Sequence, residues 1–267
     1  MKGKSNAVLH YLSENDLQIF RSEQLSDHFG QMDQTAYELL DDMARRRLLV
    51  KLKKGLYART PQDYTWSSYM PDWHKTAEAY LYQKDFYIGY YSALQIHDLV
   101  TQPSLSELVV VKHRVQPKIQ QIGTARFVFI QFQPKRFFGY KKVWINDYDK
   151  VNCSDIEKTI IDCLYMPQYA GGVEGIVKAI YKARDTIRAN VLVDYALRFD
   201  VKAVTKRLGF ILEHLELFEV EQRILSHMIT DAHAKLDPSI NSKGTYVNKW
   251  KVIDNVGISD ILNTLST

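Results

Sequence analysis

The chain has 267 residues, 46% of them hydrophobic and 25% charged, with a net charge of +4. This composition excludes a disordered or collagen-like chain, and the length suits one large domain or two. A chain of this size buries about three-quarters of its extended surface on folding, so it needs no disulfide or metal staple. Cys153 and Cys163 are too few for a disulfide framework, and the start, Met1–Ser5, leads into a polar stretch with no apolar signal region. No window approaches about eighteen uninterrupted apolar residues. The expectation is a cytoplasmic protein with no membrane partner, whose mild basic excess permits nucleic acid.

The first sixty residues read as a compact unit. A helix is expected over residues 4–13, with Val8, Leu9 and Leu12 on one face. A second starts at Ser22, carries Leu25 and Phe29 as its apolar pair, and stops at Gly30. A third follows Asp33 as N-cap, with Ala36, Leu39, Leu40 and Met43 on one stripe. Then the period changes to two: residues 48–52 and 56–59 alternate like strands around Lys53-Lys54-Gly55, a short loop with the glycine a tight hairpin wants. Helix, helix, turn, helix, hairpin is the order of a winged helix-turn-helix.

Residues 61–73 read as a connector rich in large rings (Tyr64, Trp66, Tyr69, Trp73), expected to pack on a neighbouring surface. Residues 74–267 read as one mixed domain, making the whole chain α+β. Expected there are a helix over 75–83, a strand at 86–90, a helix over 93–99 and strands at 108–112, 125–132, 142–145 and near Val151. Helices follow over about 155–165, 173–188, 190–198, 201–215 and 219–234, then strands at 244–247 and 250–253 broken at Asn248.

Charge sorting is the most informative local feature. From Met43 to Arg59 there are seven basic residues, Arg45, Arg46, Arg47, Lys51, Lys53, Lys54 and Arg59, and no Asp or Glu. A wing tip carrying Lys51, Lys53 and Lys54 sits where such domains meet phosphates. With its apolar stripe inward, the third helix turns Gln34, Glu38, Asp41 and Arg45 toward the opposite face. Its acidic middle, Glu38, Asp41 and Asp42, would repel a phosphate backbone. Only the first turn can therefore reach base edges, through Gln34, Thr35 and Tyr37, the glutamine having the geometry to pair with adenine.

Between Glu107 and Asp147 lies a second acid-free stretch with Lys112, Arg114, Lys118, Arg126, Lys135, Arg136, Lys141 and Lys142. Interleaved Phe127, Phe129, Phe132, Phe137, Phe138 and Tyr140 are expected as sheet core. The charges read either as a face for nucleic acid or an acidic partner, or as solvated strand ends and loops.

Patterns that suggest chemistry resolve into structure. Ser154–Glu157 fits a capping box, and Glu157 and Asp162 point away from each other on a helix. Gly171-Gly172 reads as a turn between helices, since no Lys-Ser/Thr follows. No histidine stands in a metal-binding spacing, and Cys163 reads as a buried small hydrophobe. Neither a catalytic residue nor a cofactor or metal is expected, so the chain does not read as an enzyme.

Beyond these readings, the chain resembles the AbiEi-type antitoxins of type IV toxin–antitoxin systems. The resemblance lies in Gly55-Leu56-Tyr57, in Ser92–Leu99, in Ser154–Leu164 followed by Ala170–Glu174, and in Asn248–Val252. The family's "E-K-T-hydrophobic-hydrophobic-D" helix before a Gly-Gly turn matches Glu157–Asp162 and Gly171-Gly172. The resemblance runs from the first helix to about Asn255, and its motifs are structural. It implies an N-terminal domain that binds inverted repeats in double-stranded DNA upstream of its own operon and represses transcription. It further implies a C-terminal domain that counters a cognate nucleotidyltransferase-like toxin. On this chain the DNA-contacting positions are Gln34, Thr35, Tyr37, Lys51, Lys53 and Lys54, with Arg45 close by. The competing expectation is a winged-helix regulator whose larger domain senses a small ligand and has no toxin partner.

Overall fold

The computed structural model describes residues 2–30, 34–60, 69 and 71–265. The chain is α+β. It begins with α1 (Lys2–Glu14), β1 (Ile19–Arg21), α2 (Ser22–Phe29), α3 (Gln34–Arg45), β2 (Leu49–Lys53), β3 (Leu56–Arg59) and α4 (Trp73–Tyr80). Next come β4 (Phe86–Ile88), α5 (Tyr90–Ile96), β5 (Glu107–Val111), β6 (Ile119–Ile122), β7 (Ala125–Gln131), β8 (Tyr140–Trp144) and β9 (Lys150–Ser154). The rest is α6 (Ile156–Tyr165), α7 (Gly172–Ala183), α8 (Ala189–Phe199), α9 (Lys202–His214), α10 (Glu219–Ser226), β10 (Ala234–Lys235), β11 (Thr245–Val247), β12 (Val252–Asp254) and α11 (Ile258–Asn263). Two compact units result: residues 1–85 with 116–128, and residues 86–115 with 129–267.

In the first unit, three antiparallel strands lie in the order β1-β3-β2, with Phe20 opposite Tyr57 and Lys51 opposite Tyr57 on the other side. Their core is Val8, Leu12, Phe20, Leu25, Leu40, Met43, Leu49 and Tyr57. The apolar spacing of α1 and α3 supplies half of it, since residues three and four apart share a helix face. Phe20 stacks on Tyr57 with ring centroids 6.0 Å apart. Gly55, at φ +74°, makes the turn between β2 and β3, a conformation that costs a glycine nothing sterically. Phe29, expected in the core beside Leu25, is instead 45% exposed and lies edge-on to Tyr11. It stands at the C-terminal end of α2. The expected N-cap Asp33 falls outside the described residues, as do residues 61–68 and 70 of the connector.

The unit does not end with β3. Asp72 caps α4 by accepting from Lys75 N at 2.8 Å, and Arg21 Nη1 donates to the Tyr80 carbonyl at 3.1 Å. Residues 116–128 also return to this unit as a β6–β7 hairpin, with Gln121 opposite Arg126. Gly123 N, at the hairpin's tip, donates to Leu52 O at 3.1 Å. Helix α4 and this hairpin therefore cluster with the residues expected as the small domain, 1–60, although they lie in the stretch 74–267.

In the second unit, strands β5, β4, β9 and β8 lie side by side in that order. β4 runs antiparallel to β5 and parallel to β9, and β8 runs antiparallel to β9 with Trp144 opposite Lys150. Of the six rings expected as sheet core, Phe129, Phe132 and Phe138 are buried, as is Phe127 of the first unit, but Phe137 is only half-buried and Tyr140 is exposed. Six of the eight basic residues spaced among them (Arg114, Lys118, Arg126, Lys135, Lys141, Lys142) are exposed. A smaller sheet, β10-β12-β11, follows the helices. Beside it Trp250 is buried so close to Gly209 that a Cβ there would lie 2.0 Å from the indole ring.

Helix α6 corrects one expectation. The N-cap is Asp155, which accepts from Lys158 N at 2.9 Å, not Ser154. Ser154 ends β9, and its Oγ lies 2.7 Å from Thr159 Oγ1. Glu157 does not reach back to the cap; it accepts from Arg188 N at 2.7 Å and from Arg188 Nη2 at 2.6 Å. A partner on α8's approach outcompetes the local bond because the guanidinium is charged. One turn on, Lys158 and Asp162 form a wholly buried ion pair. Tyr87 OH donates to Asp162 Oδ2 at 2.8 Å and accepts from Lys158 Nζ at 2.9 Å. Rings of Phe132, Phe138 and Phe199 surround the ammonium at 4.9–5.1 Å. Every polar residue of this helix motif is thus committed to architecture, as a buried charge must be to be tolerated.

Candidate nucleic-acid interface

The residues singled out by sequence all belong to the first unit, and α3, β2 and the β2–β3 turn carry them. Gln34 and Thr35 are exposed on the first turn of α3, and Tyr37 is half-buried. Gln34 Nε2 donates to Glu38 Oε1 at 3.1 Å, a bond along the helix surface that occupies one amide hydrogen and leaves the rest of the amide for another partner. Arg45 is exposed at the far end of α3, where Nη2 lies 3.5 Å from Asp42. Asp42 also takes Arg46 Nη1 at 3.2 Å.

The acidic middle of α3 is not simply turned to solvent. Lys51 Nζ donates to both oxygens of Asp41, at 2.7 and 2.8 Å, and Tyr57 OH donates to Oδ1 at 2.8 Å. Lys51's ammonium, followed by the tyrosine hydroxyl, holds the Asp41 carboxyl below its ordinary range against the opposing effect of burial. Burial first, then the carboxylate, pushes the Tyr57 phenol up. An open cleft of about 620 Å³ between α3 and β2 is lined by Glu38, Asp41, Ala44, Arg45, Val50 and Lys51. One face therefore carries both signs, and the lysine nearest the helix is already paired.

Lys53 is engaged differently. Its Nζ donates to Gln120 Oε1 of the β6–β7 hairpin and lies 5.2 Å from the Tyr80 ring centroid. Tyr80 OH donates to the same Gln120 oxygen at 2.9 Å. Of the three lysines of the β2–β3 hairpin, Lys54 alone is exposed without a hydrogen bond or ion pair among the described residues.

The structure brings Gln34, Thr35, Arg45, Lys51, Lys53 and Lys54 onto one unit, with α3 and the hairpin side by side. Sequence reasoning missed β1, the Asp41–Lys51–Tyr57 contact and the brace from Gln120 and Tyr80. The first is too short to show alternation, and the others join residues with no helical or strand spacing between them. Among the described residues no cluster of His, Cys, Asp or Glu could hold a metal, and no helix is long and apolar enough to cross a membrane.

No family model and no curated protein matches the chain. The crystal structure of the RV2827C protein from Mycobacterium tuberculosis matches it in fold, with a TM-score of 0.71 over 97% of this chain and 94% of that one. At 12% sequence identity the likeness is one of architecture.

Proposed function

We propose that the first unit is a winged helix-turn-helix that binds double-stranded DNA, and that the chain is a cytoplasmic transcriptional repressor acting at an inverted-repeat operator. The observation that carries this reading is the basic hairpin β2–β3 beside α3, the tail of an acid-free stretch with seven Lys/Arg residues. The order helix, strand, helix, helix, hairpin and the sheet β1-β3-β2 support it. In such a unit the second helix of the pair enters the major groove by its N-terminal residues and the wing follows the backbone. Gln34 and Thr35 then face bases, while Lys53 and Lys54 of the hairpin meet phosphates and Lys51 stays with Asp41. The acidic middle of α3, satisfied by Lys51 and Arg46, remains outside the groove.

The second unit is proposed to counter a nucleotidyltransferase-like toxin. Its support is the sequence resemblance, with the motif from Ser154 to Asp162 building the core of that unit. Two experiments test the two roles. Full-length protein is titrated onto a labelled duplex from upstream of its own gene and onto a random duplex of equal length. Tighter binding to the first by about 10³-fold or more is the specificity expected of a repressor, and equal binding to both contradicts it. Co-expression with a toxin encoded beside its gene should restore growth, and failure to do so removes the antitoxin role.

A further inference from the structure

The β2–β3 wing does not stand alone. The β6–β7 hairpin, though it comes some sixty residues later in the chain, belongs to the same compact unit. Its tip is seated on the wing by Gly123 N, which donates to Leu52 O at 3.1 Å. Gly123 adopts φ +59°, and a Cβ there would approach the Leu52 side chain at 3.2 Å. Inward-facing Gln120 ties the hairpin to Lys53 and Tyr80. The two turns are thus held as one body by backbone and side-chain bonds together.

What the second hairpin offers to its surroundings follows from strand alternation. Gln120, Ile122, Ala125 and Phe127 are buried, whereas Ile119, Gln121 and Arg126 are exposed. Gln121 and Arg126 stand directly opposite each other on the outward face. Lys118 is exposed at the hairpin's entry. Residues 116–128 contain one Lys, one Arg and no acid. With a strand rise of about 3.3 Å per residue, Gln121 and Arg126 lie about 7 Å from the tip that touches Leu52. A duplex presents one negative charge per about 1.7 Å of its axis, so a cation this close to a wing on DNA has phosphates within reach.

We propose that the β6–β7 hairpin is a second DNA-contacting wing, in which Lys118 and Arg126 meet phosphates and Gln121 lies beside them. The partner is duplex DNA, because residues 116–128 carry two cations and no acid and are hydrogen-bonded to the element that carries the other basic turn. The DNA interface is then discontinuous in sequence, and a fragment ending at residue 72 lacks the part contributed by residues 116–128. This inference rests on the DNA-binding reading above.

The test uses the full chain and anisotropy of a labelled duplex from upstream of its gene, between about 50 and 200 mM salt. Lys118→Ala/Arg126→Ala should flatten the slope of log K against log salt by about 1.8, about 0.9 for each phosphate left without its cation. Lys202→Ala/Lys243→Ala removes the same charge from exposed positions of the second unit and should leave the slope unchanged. Arg126→Ala alone, at an exposed position, should flatten it by about 0.9, and Arg126→Glu should weaken binding further. Slopes for the hairpin variants equal to wild type, with wild type binding DNA, overturn this inference and leave the DNA-binding reading intact. No duplex binding by the wild type overturns both.

Discussion

Replacing Asp41 with Asn perturbs the candidate interface at the point where α3 and the β2–β3 hairpin hold each other. In the folded protein the carboxylate occupies Lys51 through two hydrogen bonds of 2.7 and 2.8 Å. Both side chains are roughly two-fifths exposed, at 42% and 45%, so the pair is a surface ion pair that contributes at most about 1 kcal/mol. The introduced amide would keep an oxygen for the Tyr57 hydroxyl but lose the charge, so stability should fall by less than about 1 kcal/mol. On DNA the sign reverses. A lysine released from its carboxylate becomes available to a phosphate, and one acidic group leaves the path of the backbone. The gain should be up to about 1 kcal/mol, or about fivefold in affinity. The slope of log K against log salt should steepen by about 0.9, because one more counterion is displaced. Anisotropy titrations of the Asp41→Asn protein against wild type at several salt concentrations measure both quantities. Unchanged affinity with an unchanged slope would show that Lys51 is not held back by Asp41, and weaker binding would show that the pair positions the lysine for DNA.

Other consequences are as direct. Gln34→Ala should cost roughly 1–3 kcal/mol on the operator and little on random DNA, measured by the same titrations; equal losses on both would assign Gln34 to positioning. Lys158→Met leaves Asp162 buried beside Tyr87 without its cation and should destabilise the protein by about 3–5 kcal/mol in urea unfolding, while Lys158→Met/Asp162→Leu should recover much of that loss. A double variant as unstable as the single one would refute the ion-pair account. Burial holds His97 below its ordinary value, against the Ser154 carbonyl that accepts from Nε2 at 2.6 Å. The unfolded chain therefore binds the extra proton first as pH falls below about 6.5, and stability present above that pH declines toward the lower folded value. His97→Gln should remove that part of the pH dependence in unfolding midpoints between about pH 5 and 7.5; an unaltered profile would place the titration elsewhere.

How much of this was legible in sequence depends on how far apart the interacting residues lie. Val8, Leu12, Leu40 and Met43 repeat at helical spacing, so α1 and α3 and their buried faces were readable from the chain alone. The β2–β3 hairpin was equally plain, because alternation and Gly55 both mark it. The strand Ile19–Arg21 was not, since three residues next to a helix start show no period. Strand β6 carries two glutamines, Gln120 and Gln121, and one of them is buried only because Lys53 and Tyr80 meet it there. No local pattern announces a partner sixty-seven positions away. The Lys158–Asp162 pair had a local cue, an i, i+4 spacing of opposite charges. On an otherwise apolar helix that spacing signals a buried pair as readily as a surface one, and Tyr87, from β4, decides between them. In the candidate interface the residues were visible as charges and the pairings among them were not, which is why Lys51 read as open to phosphate although Asp41 already holds it.

The central claim, that this protein binds duplex DNA through α3 and a basic wing, is tested most directly by the salt dependence of Lys51→Ala/Lys53→Ala/Lys54→Ala. Full-length wild type and variant are titrated onto the duplex from upstream of the gene and onto a random duplex, from about 50 to 200 mM salt. The account predicts weaker binding to both sequences by a similar factor, with the slope of log K against log salt flattened by about 0.9 for each phosphate no longer neutralised. A variant that binds both duplexes with the affinity and slope of the wild type would contradict it.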